Sequence, residues 1–115
     1  MAAAVLTTNS QTNLSGVSNR AVGKIVTDSG TPADVTITLG FAPRYIKFVN
    51  ATDRIQDEWY EGVQATSGTT TSIHTVASGT VTLETTNGIQ VVGNTFTVTA
   101  ATMVASKTFY WMAEN

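Results

Sequence analysis

Apolar and polar residues alternate along most of the chain after residue 20. In the segment ADVTITL, Val35, Ile37 and Leu39 alternate with threonines, which is the period-two pattern of a strand with one buried face. Similar short segments recur between turn residues, and among the turns Asn87-Gly88 is the strongest hairpin signal. The pattern predicts nine strands, in segments 21–27, 33–39, 44–50, 55–60, 71–77, 80–86, 89–92, 95–99 and 107–113.

Short strands at this spacing are typical of a small antiparallel β-sandwich, of the jelly-roll or another Greek-key type. We expect one such domain over residues 21–115. One segment is ambiguous, because Ile55, Trp59 and Val63 also stand at helical spacing. We favour a strand there, since Gly62 and the all-β context both count against a helix.

The composition supports the all-β prediction. The chain has 115 residues, of which 41 are β-branched, including 22 threonines. Such residues disfavour helix and suit a pleated surface, which excludes all-α and doubly wound α/β folds. The chain has no cysteine, so we expect no disulfide, and it has no apolar stretch long enough for a transmembrane helix.

The first charged residue is Arg20, and the uncharged, polar segment before it predicts an extended N-terminal arm over residues 1–20. This arm is either a disordered tail or a segment that orders against a partner. In the second case Leu6 and Leu14 are expected to contact that partner. The segment lacks a positively charged start, so it does not predict a signal peptide.

Charge is scarce and unevenly placed. The net charge is −2, which argues against binding to nucleic acid or to an anionic membrane. Seven of the fourteen charged residues lie within 44–61, together with several aromatic residues, a composition typical of a binding hot spot. The alternative is a pair of solvated strands with paired charges. The residues expected to bind a partner are Arg44, Tyr45, Asp57, Trp59 and Tyr60.

The last predicted strand is apolar on both faces. Phe109 and Trp111 alternate with Tyr110 and Met112, so both faces need cover. One face can pack on the opposite sheet, and the other needs a loop of the same chain, the N-terminal arm or another subunit. We expect these four residues to form a contact between copies in a homo-oligomer.

Nothing in the sequence predicts an enzyme, a cofactor or a metal site. His74 is the only histidine, and it has the pattern of an ordinary strand residue. In a strand Glu58 lies on the opposite face from Asp57 and Glu61, which separates the carboxylates. We therefore expect no difference in environment that would raise the pKa of one above another, as acid–base catalysis on sugars requires.

Three segments resemble a group of small virion proteins of tailed bacteriophages: GFAPRYIKFVN (40–50), DEWYEGV (57–63) and SKTFYWMAEN (106–115). The resemblance covers most of residues 33–115. It implies a capsid decoration, or cement, protein on the capsid surface of the virion, made in the cytoplasm of the bacterial host. It also implies a small β-domain, commonly trimeric, that binds the major capsid protein at the junctions between capsomers.

Two functions therefore remain open. A threonine-rich, charge-poor surface can be buried against neighbours at low desolvation cost, which favours the cement protein. The alternative is a receptor- or glycan-binding module of a tail fibre or adhesin, in which the aromatic and acidic residues of 57–61 contact a sugar.

Overall fold

The computed structural model describes residues 19–64 and 68–115. Every regular element in these residues is a β-strand and none is a helix, which confirms the all-β prediction. Leu6, Leu14 and the rest of residues 1–18 lie outside the described residues. The strands are β1 (Arg20–Val26), β2 (Val35–Thr38), β3 (Tyr45–Asn50), β4 (Ile55–Tyr60), β5 (Ser72–Thr75), β6 (Val81–Glu84), β7 (Ile89–Val92), β8 (Thr95–Val98) and β9 (Thr108–Glu114).

The strands form two antiparallel sheets. The larger has the order β1-β9-β3-β4-β5-β6, and the smaller has the order β2-β8-β7. The last strand, β9, lies in the interior of the larger sheet, where it pairs with β1 on one side and β3 on the other. No helix in the described part of the chain is long and apolar enough to cross a membrane.

The segment with ambiguous periodicity is a strand. Over its whole length β4 pairs with β3, and Ile46 lies opposite Trp59 in the register. The chain then turns at Gly62, whose φ of 92° is a conformation that residues with a side chain rarely adopt. The helical alternative for this segment is therefore wrong.

The Asn87-Gly88 turn does not close a hairpin, contrary to the sequence pattern. β6 and β7, which flank it, belong to different sheets: β6 pairs with β5, and β7 pairs with β8. The turn instead carries the chain from the larger sheet to the smaller one. Gly88 has a φ of 116°, whereas Asn87 is not among the residues with positive φ, so the turn signal is correct for the backbone of Gly88 only.

Both sheets contribute to a single hydrophobic core. Phe48 and Phe109 of the larger sheet lie with their ring centroids 5.3 Å apart. Trp111 contacts Phe96 of the smaller sheet edge to face, at 5.4 Å. The buried core residues are Ile46, Phe48, Trp59, Ile89, Val91, Phe96, Val98, Met103, Phe109 and Ala113.

None of these buried core residues comes from β5 or β6. On the side of β5 that faces the core, Ser72 and His74 are polar, and Glu84 lies opposite Ser72 on β6. The apolar core thus lies under β9, β3 and β4, and a polar region lies under the other end of the larger sheet.

Candidate interaction surface

The larger sheet has one face against the core and one face directed away from it, which we call the open face. The direction of the side chains follows from the alternation along each strand: on β1, exposed and half-buried residues alternate without exception. Seven large apolar side chains in the described residues are exposed, and six of them lie on the open face. These six are Val22, Val26, Tyr60, Val81, Leu83 and Tyr110.

The strand register arranges the side chains of the open face in rows across the sheet. Row one crosses all six strands and consists of Val22, Met112, Lys47, Glu58, Ile73 and Leu83. Row two lies beside row one on the same face, two residues away on every strand. It consists of Lys24, Tyr110, Val49, Gln56, Thr75 and Val81. Aliphatic side chains therefore lie at both ends of row one, and its two charges lie in the middle.

A tyrosine cluster, formed by Tyr45, Tyr60 and Glu58, lies at one end of the open face. The ring centroids of the two tyrosines are 5.1 Å apart. Both hydroxyls donate to the same carboxylate oxygen of Glu58, over 2.8 Å from Tyr45 and 3.3 Å from Tyr60. The other oxygen accepts a hydrogen bond from the Gln56 amide at 3.2 Å. The three side chains thus form a fixed aromatic surface with an acidic centre.

This arrangement makes both phenols harder to ionise. Burial raises the pKa of Tyr45, and its hydrogen bond to the Glu58 carboxylate raises it further. For Tyr60 the negative charge of Glu58 is the main cause of a raised pKa. The hydroxyls therefore remain donors to Glu58 throughout the neutral range.

The outer side of β9 contributes a shallow groove to the open face. The groove has a volume of about 210 Å³ and is lined by Lys47, Val49, Tyr110, Trp111 and Met112. The ammonium of Lys24 lies 5.8 Å from the centroid of the Tyr110 ring, within the range of a cation–π contact. The groove is therefore mainly apolar, with positive charge along its border.

Two residues expected to bind a partner are buried inside the chain. Trp59 is 3% exposed and belongs to the core, and Asp57 is 2% exposed on the same side of β4. Neither side chain projects from the open face, so the expectation that they take part in a partner contact there is corrected for both. Strand alternation groups them correctly on one face, but it does not say that this face is the inner one.

Of the other expected partner-binding residues, the structure brings Tyr45 and Tyr60 together. Tyr45 and Tyr60 belong to the tyrosine cluster, and Arg44 precedes Tyr45 directly in the chain. The Arg44 Nε lies 3.8 Å from a carboxylate oxygen of Glu61, a loose and partly exposed ion pair.

The four residues expected at a contact between copies divide between the two faces. Tyr110 is 48% exposed on the open face, and Met112 lies two residues further along the same face. Phe109 is fully buried in the core, and Trp111 packs against Phe96 of the smaller sheet. The expectation that all four form the contact is therefore corrected: only Tyr110 and Met112 project from the open face.

An Asp–His pair on the inner side of β4 and β5 was not expected from the sequence. The Nδ1 of His74 lies 2.9 Å from Oδ1 of Asp57, because the two residues are opposite each other in the register. Burial raises the pKa of Asp57, and its interaction with His74 opposes part of that rise. The expectation that nothing would raise the pKa of one carboxyl group within 57–61 is therefore wrong for Asp57. Only the strand register, which brings position 74 opposite position 57, could have revealed the pair.

The Asp–His pair borders a cavity of about 250 Å³, which Glu84 and Asn87 also line. The described residues contain no group of three or more histidine, cysteine or acidic side chains arranged to hold a metal ion.

Comparison of the chain with protein families, with curated proteins and with solved structures found no significant match.

Proposed function

We propose that this chain is a structural protein of a tailed-bacteriophage virion, a capsid cement protein that binds the outside of the assembled shell and stabilises the junctions between capsomers. The observation that carries the proposal is the open face, on which six large apolar side chains are exposed. Large exposed apolar surfaces mark sites where proteins bind other molecules. The resemblance of three segments to small virion proteins of tailed phages supplies the class of partner.

The tyrosine cluster and Arg44 form the expected contact with the major capsid protein. Tyrosine and arginine are the residue types that dominate protein interfaces, since each combines a large contact area with hydrogen-bonding groups. Tyr45 and Tyr60 are held in place by Glu58, so little conformational entropy is lost when a partner covers them. The two tyrosine rings lie at one end of the open face, so they meet the shell at the edge of the contact between copies, which the rest of the face forms together with Glu58.

The experiment that tests this proposal mixes the purified protein with shells that lack it, followed by sedimentation. We expect the protein to pellet with the shells, to saturate at a fixed number of copies per shell, and to raise the temperature at which the shells break open. Absence of pelleting at every concentration would overturn the proposal.

A matched pair of variants locates the contact. Tyr60→Ser removes an exposed ring of the tyrosine cluster, and we expect it to weaken shell binding by about tenfold. Val92→Ser changes an exposed apolar side chain of the smaller sheet and should bind as the wild type does. Equal loss in both variants would assign the contact to another surface.

A second function, glycan binding in a tail fibre or adhesin, is favoured by one observation. Two exposed aromatic rings beside a carboxylate can stack on a sugar ring and accept hydrogen bonds from its hydroxyls. Copy number separates the two functions, because a shell protein is present in hundreds of copies per particle and a tail protein in few. Binding to a glycan array without binding to shells would favour this second function.

A further inference from the structure

Row one has its apolar and charged positions placed symmetrically about its centre, with opposite charges on the two sides of that centre. From β1 to β6 the row reads apolar, apolar, cationic, anionic, apolar, apolar, in the residues Val22, Met112, Lys47, Glu58, Ile73 and Leu83. Reversing the order exchanges the positive and the negative position and leaves the apolar ends apolar. Such a row is complementary to a reversed copy of itself.

We propose that two copies of this chain pack open face to open face about a two-fold axis that lies in the interface along the strand direction. This rotation places β1 of one copy over β6 of the other, and β3 over β4. Lys47 then faces the partner's Glu58, and Val22 faces the partner's Leu83. Antiparallel sheets commonly pack face to face with their strands within about 30° of each other, which allows this arrangement.

The charges in the middle of row one support a partner of this kind. Among the described residues, the Lys47 ammonium forms no ion pair, although its neighbour on β4 is Glu58. The Glu58 carboxylate is instead held by the two tyrosines and Gln56. Each copy therefore presents one unpaired cation and one oriented anion at the centre of the face, and the two-fold rotation brings opposite charges together.

The apolar ends of the row support the same partner. Val22 is 73% exposed at the β1 end, and Leu83 is 62% exposed at the β6 end. In the dimer Val22 of each copy covers Leu83 of the other copy. This removes apolar surface from water at both ends of the interface, which is favourable in proportion to the area covered. In row two the same rotation places the exposed Val81 over the aliphatic chain of the partner's Lys24.

The size of the face sets the strength of the expected contact. Six strands at a spacing of about 4.8 Å and with a length of about 17 Å give a face of roughly 500 Å² in projection. Stable interfaces bury about 800 Å² per partner, and weak, reversible ones bury less than about 600 Å². We therefore expect a dimer that dissociates on dilution into the micromolar range.

A two-fold contact differs from the trimer that the resemblance implies. In a trimer each subunit uses two different surfaces, whereas a two-fold dimer uses the same surface on both subunits. Row one is complementary to itself, which is the property that the two-fold contact requires. The inference rests on the proposed function in taking the partner to be a second copy, but its test uses the isolated protein without shells, so the two can fail separately.

The first experiment measures mass by sedimentation over a dilution series of the full chain. We expect the mass to double from 12.1 kDa as the concentration rises. Leu83→Lys places a charge at the end of row one and should leave the protein monomeric without affecting its folding, because the side chain is exposed. Val92→Lys, the same change at an exposed position of the smaller sheet, should dimerise as the wild type does.

The second experiment reverses the central charges. Lys47→Glu and Glu58→Lys should each raise the dissociation constant by about tenfold or more, because like charges then face each other across the interface. A mixture of the two variants should associate as strongly as the wild type, since each chain of the mixed dimer then faces an opposite charge. Within each variant chain, positions 47 and 58 still carry like charges in the mixture. Restored association must therefore come from a contact between copies.

Three outcomes would overturn the inference: a monomer at all concentrations, a mass that triples, or a mixture of charge variants that associates no better than either variant alone. Equal association of Leu83→Lys and the wild type would also overturn it.

Discussion

The indole of Trp111 lies over Gly23, its partner across the β1–β9 ladder. A Cβ atom on Gly23 would overlap the indole atoms Nε1, Cε2 and Cζ2. The absence of a side chain on β1 therefore gives the indole a flat surface on the larger sheet, and its ring also packs edge to face on Phe96 of the smaller sheet. Glycine within a strand often marks such a close approach. Here it allows one side chain to connect the two sheets.

Gly23→Ala is expected to destabilise the protein by about 1–3 kcal/mol, because the indole must leave its position to make room for the methyl group. Gly23 is not among the residues with positive φ, so the cost comes from the overlap and not from the backbone. Chemical denaturation followed by tryptophan fluorescence measures the change in the free energy of unfolding.

The Trp111→Ala background provides the control for this prediction. With the indole removed, the same substitution at Gly23 should cost little or should stabilise the strand, since alanine loses less entropy than glycine on folding. An equal cost in both backgrounds would contradict the assigned contact.

The sequence predicted the strands and their alternating faces, but it did not predict which face is the inner one. Alternation groups Asp57 with Trp59, and both are indeed on one side of β4. It cannot say that the smaller sheet covers that side, because this depends on pairing between distant segments. The same limit explains the Asn87-Gly88 turn: the local signal concerns backbone conformation, whereas the assignment of β6 and β7 to different sheets depends on the whole chain.

The candidate surface was predicted in part for the same reason. The abundance of charged and aromatic residues in 44–61 pointed to Tyr45 and Tyr60, which the structure brings together around Glu58. The rows of the open face combine residues from six strands that are far apart in the sequence, such as Val22 and Leu83. Their alignment follows from the register alone, and no motif of consecutive residues could reveal it.

Glu58→Gln is expected to lower the pKa of both Tyr45 and Tyr60, because it removes the negative charge that disfavours the phenolates. Absorbance of the phenolate during an alkaline titration measures this, in a Tyr110→Phe background that leaves these two tyrosines as the only ones in the chain. Glu84→Gln removes a carboxylate that does not act on either phenol and should leave the titration unchanged.

The raised pKa values of the same two tyrosines also predict how the stability of the protein changes at high pH. A phenol whose pKa is raised by folding contributes stability below its unfolded pKa of about 10 and loses that contribution as the pH rises. The wild type should therefore lose stability above this pH more steeply than Glu58→Gln does. A parallel decline in the two proteins would contradict the assigned role of Glu58.

Asp57 and Asp53 should affect the pH dependence of stability in opposite directions. Burial raises the pKa of Asp57 above its usual 3.8, so its contribution is present below that pH and is lost as the pH rises. A hydrogen bond from Lys107 lowers the pKa of Asp53, so its contribution is present above the same pH and is lost as the pH falls.

The measurement compares the wild type with Asp57→Asn and with Asp53→Asn by chemical denaturation between about pH 3 and pH 7. The stability of the wild type relative to Asp57→Asn should fall as the pH rises. Its stability relative to Asp53→Asn should rise over the same range. Two differences with the same slope would show that the environments of the two carboxyl groups are not as described.

Gly88→Ala tests the turn that carries the chain between the sheets. Gly88 and Gly79 both have a positive φ, of 116° and 94°, so a side chain at either position strains the backbone. A Cβ at Gly79 would meet open space, whereas a Cβ at Gly88 would overlap the side chain of Ser72. That side chain is buried, and its hydroxyl oxygen accepts a hydrogen bond from the backbone N–H of Ile89 at 2.9 Å.

The two alanine variants therefore separate backbone strain from overlap. Gly79→Ala should destabilise the protein by about 1–3 kcal/mol through backbone strain alone. Gly88→Ala should cost at least about 1 kcal/mol more, because Ser72 must move and the hydrogen bond that fixes the start of β7 is lost. Thermal denaturation of the two variants measures both costs. An equal loss of stability in the two variants would mean that the Ser72 side chain can move away from Gly88 without an energetic cost. The contact between β5 and the start of β7 would then not hold the two sheets in register.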